Sequence, residues 1–266
     1  MSLSKSVLAQ GKRLLMEAAL KLHANTRSLN ALSLRELARE AGLNPNTFYR
    51  HFRDFDDLGL AIIEEMSREI RQPLRALRRR AAESVTPPGA PLPAWDQDAG
   101  LNLARAMAAN RATVRLFFDY VAGNPNAFIL GIRELHGASP VLRSALRQVM
   151  ADFARDMAED VRQLQLVPDL NPEELYAIAE TISREMFQLS MDYIEQPDQR
   201  QAICQQAERM ITALTMGSAV LHGHGPVLLP ALAGTDGAVG PAPSDGPVSS
   251  DQDAERKREQ TRPRLA

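Results

Sequence analysis

Apolar residues recur along most of the chain at the three-to-four spacing of an amphipathic helix, and the strict alternation of a β-strand persists nowhere. Val7, Leu8, Leu14, Leu15, Ala18, Ala19 and Leu22 predict a first helix over about residues 5–24. After a polar, turn-rich segment a second helix opens at Ser33, with Glu36 three residues on as a capping box. It stops at Gly42, where left-handed backbone is available at little cost. Asn44 and Pro45 read as cap and first residue of a short third helix that ends at Phe52. Asp56 and Asp57 open a fourth, which passes Met66 and Ile70 and ends near Arg80. Pro87, Pro88, Gly89, Pro91 and Pro93 then break the pattern. It returns over about 101–122, 125–136 and 140–166, and two long amphipathic helices follow over about 172–194 and 197–222. From Gly225 onward Gly, Pro, Ser and Asp dominate and predict a disordered tail. The expected fold is all-α. Its parts are an N-terminal domain over 1–58, a connecting helix over 59–83, a Pro-rich connector over 84–98, a helical domain over 99–223 and the tail over 224–266.

Composition adds limits. With 44% hydrophobic and 24% charged residues in 266, the chain has an ordinary globular profile and the length for a real core. Its single cysteine, Cys204, has no partner for an internal disulfide, as suits a reducing compartment. Lys5, Lys12 and Arg13 are not followed by an apolar run, and no stretch approaches 18 apolar residues. A cytoplasmic, nucleoid-associated protein that does not insert into membrane is the expectation. The formal charge of −2 conceals an asymmetry, because residues 1–53 carry nine Lys and Arg against three Glu, a balance of +6. A basic head on an acidic remainder is the footprint of a nucleic-acid reader. No Ser/His/Asp grouping, Gly-rich phosphate loop or Cys/His metal spacing occurs. His222 and His224 sit in a Gly-rich stretch and make a poor metal site, so no catalytic residue, cofactor or metal is expected.

Short helix, Gly turn and short capped helix is the order of a helix-turn-helix, with Pro45–Phe52 as the reading helix. Leu37, Ala38, Leu43, Phe48 and Phe52 are spaced to share one small core. Asn44, Asn46, Thr47 and Arg50 then face outward as types that reach base edges: Arg to guanine, Asn to adenine, the Thr methyl to the thymine methyl. Tyr49 and His51 flank them as phosphate contacts. A plain helical hairpin fits the same spacing.

The run Leu32-Ser33-Leu34-Arg35-Glu36-Leu37-Ala38-Arg39-Glu40-Ala41-Gly42-Leu43-Asn44-Pro45-Asn46-Thr47-Phe48-Tyr49-Arg50-His51-Phe52 resembles the TetR-family signature over about residues 10–65. That resemblance implies base contacts from Arg35, Pro45, Asn46, Thr47 and Arg50, and phosphate contacts from Ser33, Tyr49 and His51. The lysine that usually follows is replaced by Phe55, and Arg53 is expected to supply the charge instead. Phe48 to Leu60, with Asn124-Pro125-Asn126-Ala127-Phe128, Arg133-Glu134 and Gly137-Ala138-Ser139-Pro140, is similar to the FabR/DesT group of repressors of unsaturated fatty acid synthesis. The implied partners are a palindromic DNA operator, a second copy of the chain, and a hydrophobic effector, a long-chain acyl-CoA or acyl-carrier-protein thioester.

The C-terminal half is rich in Met and Phe, which suit both a plain core and an adaptable apolar pocket. Arg115, Phe117, Tyr120, Phe128, Arg133 and Arg184 are the candidate ligand contacts, each Arg also fitting a structural ion pair. The run Arg75, Arg78, Arg79, Arg80 reads as a solvated helix end or as a phosphate contact. Leu189, Tyr193, Ala207, Met210, Leu214 and Gly217 lie on the apolar stripes of the last two helices and are the candidate dimer contacts. A regulator of efflux or catabolism sensing another apolar compound, and a helical enzyme or scaffold, are the alternatives.

Overall fold

A computed structural model describes residues 2–23, 28–86 and 92–233, with side chains from Ala9 onward. Connector residues 87–91 and the tail predicted over 234–266 lie outside the described residues. The described residues are helical, without a strand among them. Helix α1 (Ser2–His23), α2 (Leu34–Glu40), a 3₁₀ segment (Pro45–Arg50) and the start of α3 (Phe55–Ser84) form the head. The body joins the rest of α3 to α4 (Ala99–Gly123), α5 (Pro125–Leu135), α6 (Pro140–Gln163), α7 (Pro172–Glu195) and α8 (Arg200–Ala219). A kinked π turn, Val220–His224, leads into α9 (Gly225–Ala233).

Helix starts are set by caps. Asn44, Asp98, Ser139 and Asn171 each accept a bond from a backbone N–H one turn in, and Pro45, Pro125, Pro140 and Pro172 occupy first positions where a missing N–H costs nothing. The predicted capping box is not at Ser33, whose side chain makes no capping bond. A reciprocal arrangement occurs instead at α3: Asp57 N donates to Asp54 Oδ1 at 2.8 Å, and Arg53 N donates to Asp57 Oδ2 at 3.0 Å. Asp54 and Asp57 thus stiffen the exit from the reading segment.

Two further expectations differ. The third helix is not α-helical but a tighter 3₁₀ run, and the tail predicted from residue 224 begins with helix α9. Gly225, Pro226 and Pro230 made that segment read as coil. Yet Pro226 falls in the first turn, where proline is tolerated, and Leu228 is fully buried.

The head packs Leu15, Ala19, Leu29, Leu37, Phe48, Phe52, Leu58 and Ile62 into a core that continues into Leu130 of α5 and Leu142 and Leu146 of α6. The body has its own core, in which Val114, Phe118, Ile182, Met186, Tyr193, Ile203 and Ala207 join α4, α7 and α8. Helix α3 belongs to both.

Candidate DNA-reading surface and effector cavity

The reading surface is built on Leu37 and Phe48, both buried beneath it. After α2 the chain reverses through Gly42, whose φ of +65° is a conformation that a side chain would strain. Leu43 N closes the turn on Ala38 O at 2.8 Å, and Asn44 Oδ1 caps the next segment by accepting from Asn46 N at 2.9 Å. Phe48 meets Tyr49, Phe52 and Phe55 with ring centroids 5.4, 5.7 and 5.4 Å apart. Phe55, which stands where the resemblance expects a lysine, is therefore a core residue. That aromatic cluster leaves Asn44, Asn46 and Arg50 exposed, with Tyr49 65% exposed, and Pro45 and Thr47 half-buried beside them. Ser33 and Arg35 are exposed at the start of α2.

His51 is half-buried against α1, where a Cβ on Gly11 would lie 2.8 Å from its Nε2, so only glycine lets the two elements approach. Burial, then the charges of Lys12 and Arg50, hold the His51 pKa below its ordinary value. That favours the neutral imidazole near neutral pH, while Lys12, 5.8 Å over the Phe52 ring, brings a fixed charge to the same edge. Arg53 is drawn to Asp57, Nε to Oδ2 3.5 Å, a largely exposed pair that a phosphate can outcompete.

Head and body meet at a buried joint. His23, the last residue of α1, and Glu134, in the last turn of α5, are both fully buried and lie 3.3 Å apart, Nε2 to Oε1. Leu29 N also donates to Glu134 Oε1 at 2.6 Å, and Arg133 Nη1 donates to His23 O at 2.9 Å. Burial raises the Glu134 pKa, but the bonds from His23 and Leu29 outweigh it and the net shift is downward. Arg133 is thus spent on the joint and is absent from the walls of the cavity described next.

That cavity lies in the body between α3, α4, α5, α6, α7 and α8, with about 100 Å³ of room for the centre of a water-sized sphere. Ile70, Phe117, Phe128, Phe153, Met157 and Phe187 supply much of an almost wholly apolar wall. Of the six candidate ligand contacts, Phe117, Tyr120 and Phe128 line it. Arg115 and Arg184 are exposed and line no wall of it. Tyr120 donates to Glu69 Oε2 at 2.9 Å, and burial with Glu69 and Glu65 pushes its pKa well up. A smaller hollow adjoins, sharing Arg78, Thr113, Met157 and Ile211 with the first and extending past Leu103, Asn110 and Met216.

Arg78 is the charged residue of this wall. It belongs to a seam along α3 and α6 in which Arg71 pairs with Asp152 and Asp156, Arg75 with Asp156, Glu159 and Asp160, and Arg78 with Asp160. Two readings of the arginine run are thereby replaced: Arg75 and Arg78 are neither a solvated helix end nor open to phosphate. The signal lay in the sequence as arginines at 71, 75 and 78 facing acids at 152, 156 and 160, two patterns with one helical period.

The dimer candidates divide. Leu189, Tyr193 and Ala207 are 7%, 8% and 0% exposed within the protomer. Tyr193 stacks on Phe118 at 4.6 Å, and the Arg200 guanidinium lies over its ring at 4.8 Å. All three lie in the protomer's own core, where α7 and α8 pack against α4. Met210 and Leu214 are half-buried, and Gly217 is exposed with open space at its Cα.

An exposed polar reading turn on a compact aromatic base, joined to an all-helical hollow body, defines a helix-turn-helix DNA-binding protein. Residues 15–62 match the family described as "Bacterial regulatory proteins, tetR family". The chain thus carries, over these residues, the DNA-binding domain described for that family. Its fold is shared by the fatty acid degradation regulator FadR from Bacillus halodurans, at a TM-score of 0.57 and 13% identity over 77% of this chain and 94% of that one. FadR from Bacillus subtilis, solved in complex with stearoyl-CoA, matches with a TM-score of 0.51 and 15% identity over 77% and 98%. A putative transcriptional regulator from Pseudomonas aeruginosa PAO1 matches with 0.52 and 18% over 78% and 91%. No described helix is long and apolar enough to cross a membrane.

Proposed function

We propose that this chain is a repressor of fatty acid synthesis or desaturation genes that binds a palindromic operator as a homodimer and responds to long-chain acyl thioesters. The observation that carries the reading is the apolar cavity walled by the same helix, α3, that leaves the reading turn. A long chain suits that wall, since each buried CH₂ contributes about 0.8 kcal/mol. The Bacillus subtilis protein of the same fold holds stearoyl-CoA, which supports the choice of chain.

Arg35, Asn44, Pro45, Asn46, Thr47 and Arg50 read bases in this proposal, and Ser33, Tyr49, His51 and Arg53 hold phosphates. Ala213 and Gly217, exposed on α8, and Leu221, exposed in the π turn that follows, form the dimer face, with Met210 and Leu214 at its edge. Leu221 is 86% exposed, an apolar side chain that a dimer contact would cover. The effector acts through two paths: along α3, and through α5, whose Ala127, Phe128 and Gly131 wall the cavity one turn before Glu134 holds His23. To alter DNA binding it must fit one arrangement of the two heads better than another.

Operator affinity is to be measured by fluorescence anisotropy with saturated, unsaturated and no acyl thioester at matched occupancy, in chain-length series. Affinity that shifts with occupancy, and more for C16 than for C8, supports the reading. Three equal affinities sink it in favour of another apolar effector.

A further inference from the structure

The polar groups around the two adjoining hollows narrow the chemistry of what fills them. Arg78 uses Nε and Nη2 on Asp160, at 2.8 and 2.5 Å, and among the described residues its Nη1 has no partner. Nη1 is therefore a spare donor on a residue that lines both hollows. In the smaller hollow Asn110 Nδ2 donates to Glu208 O at 2.8 Å and to Thr212 Oγ1 at 3.1 Å. A backbone carbonyl accepts and never donates, so this fixes the amide orientation and leaves Oδ1 as the other atom. Asn110 Oδ1 is buried with no partner among the described residues. A buried acceptor in that state costs about 1–3 kcal/mol, which a ligand donor would recover. Ser183 Oγ, also without a partner on the wall of the larger cavity, carries no weight, because a helical hydroxyl can turn to its own helix, as Thr113 does to Ala109 O.

Charge decides between ligand heads. The seam holds Arg71, Arg75, Arg78 and Arg155 against Asp152, Asp156, Glu159 and Asp160, four of each sign. A carboxylate brought to Nη1 would add a fifth negative charge beside Asp160 in a mostly buried, already balanced cluster. A carbonyl oxygen takes the same donor and adds no charge.

We infer that the effector is a neutral acyl derivative whose carbonyl oxygen accepts from Arg78 Nη1 and whose head carries an N–H that donates to Asn110 Oδ1, with the chain in the larger cavity. The inference rests on the acyl-chain reading above and adds the head group. Two sources share this chemistry, the amide-bearing arm of a pantetheine thioester and a simple N-acyl amide. They differ in how far the N–H lies from the carbonyl.

The test uses the full-length protein and five dodecyl probes in calorimetric titration: the pantetheine thioester, an N-(2-hydroxyethyl) amide, the methyl ester, the free acid and the alcohol. The inference expects a probe with both carbonyl and N–H to bind about tenfold tighter than the ester, the worth of one hydrogen bond to a buried acceptor. The free acid should be weaker than the ester, and whichever of thioester and amide is tighter identifies the source. In Asn110→Leu the preference over the ester should vanish while ester binding persists. Equal binding of ester, thioester and amide to the natural protein, or tightest binding of the acid, overturns the inference and leaves the acyl-chain reading standing. If no dodecyl probe binds, including the alcohol, the acyl-chain reading itself falls.

Discussion

The head and the body bury comparable residue types for opposite ends. In the head Leu37, Phe48, Phe52 and Leu58 close around one another, and none of them lines either hollow. In the body Phe117, Phe128, Phe153 and Phe187 stand around a hollow. A closed core fixes the reading side chains in one arrangement, whereas a hollow one loses attraction across the gap and can be remade by whatever enters. The contrast teaches that rigidity is concentrated where bases are read and compliance where a ligand arrives.

The largest expected effect tests this directly. Phe48→Ala should cost about 3–5 kcal/mol in urea unfolding, and Phe153→Ala clearly less, because the space beside Phe153 is already there. Equal losses would break the contrast. Next is the joint between the two regions. Glu134→Gln should cost about 1–3 kcal/mol and flatten the acid limb of the stability profile. The Glu134 pKa is depressed in the folded state, so its contribution is present above the ordinary value of 4.5 and is lost as pH falls below that. If the variant's pH profile superimposes on that of the natural protein, Glu134 is not the group that titrates. On the reading surface, Arg50→Ala should leave stability unchanged and weaken operator binding by about 1–3 kcal/mol, while random duplex is bound nearly as before. Equal losses on both duplexes would make Arg50 a phosphate contact. The smallest effect belongs to the α3–α6 seam. Arg75 is 27% exposed, Asp156 and Asp160 keep Arg71 and Arg78, and Glu159 is 41% exposed to water, so Arg75→Met should cost about 1 kcal/mol or less, falling further at high salt.

How much of this could be read from the chain follows the same division. The head was legible because its signals are local: Gly42 for the turn, Asn44 and Pro45 for the cap, and Phe48 and Phe52 for the core. Even there the Ser33 pattern reads as a capping box that does not form, while Asp54 caps α3 without having been singled out, since a Ser-x-x-Glu pattern does not reveal which side chain completes its bond. The body's helices were legible by period, but not which partner each stripe would choose. Leu189, Tyr193 and Ala207 went to the protomer's own core, since a strong apolar stripe marks burial and not the identity of the surface that buries it. The His23–Glu134 pair joins residues 111 positions apart, and the spare valences of Arg78 and Asn110 exist only once their neighbours are in place.

The 3₁₀ form of Pro45–Arg50 carries a consequence for how such a reader diverges. With three residues per turn, positions three apart stand one above the other. Asn46 and Tyr49 therefore form one column and Thr47 and Arg50 a second. With the base and phosphate contacts proposed above, each column would meet the duplex as a pair, so an exchange at one position changes what its column-mate can reach. Retargeting this protein to a new operator should proceed by coupled double steps within a column, with single exchanges passing through weak binders and exchanges across columns adding independently.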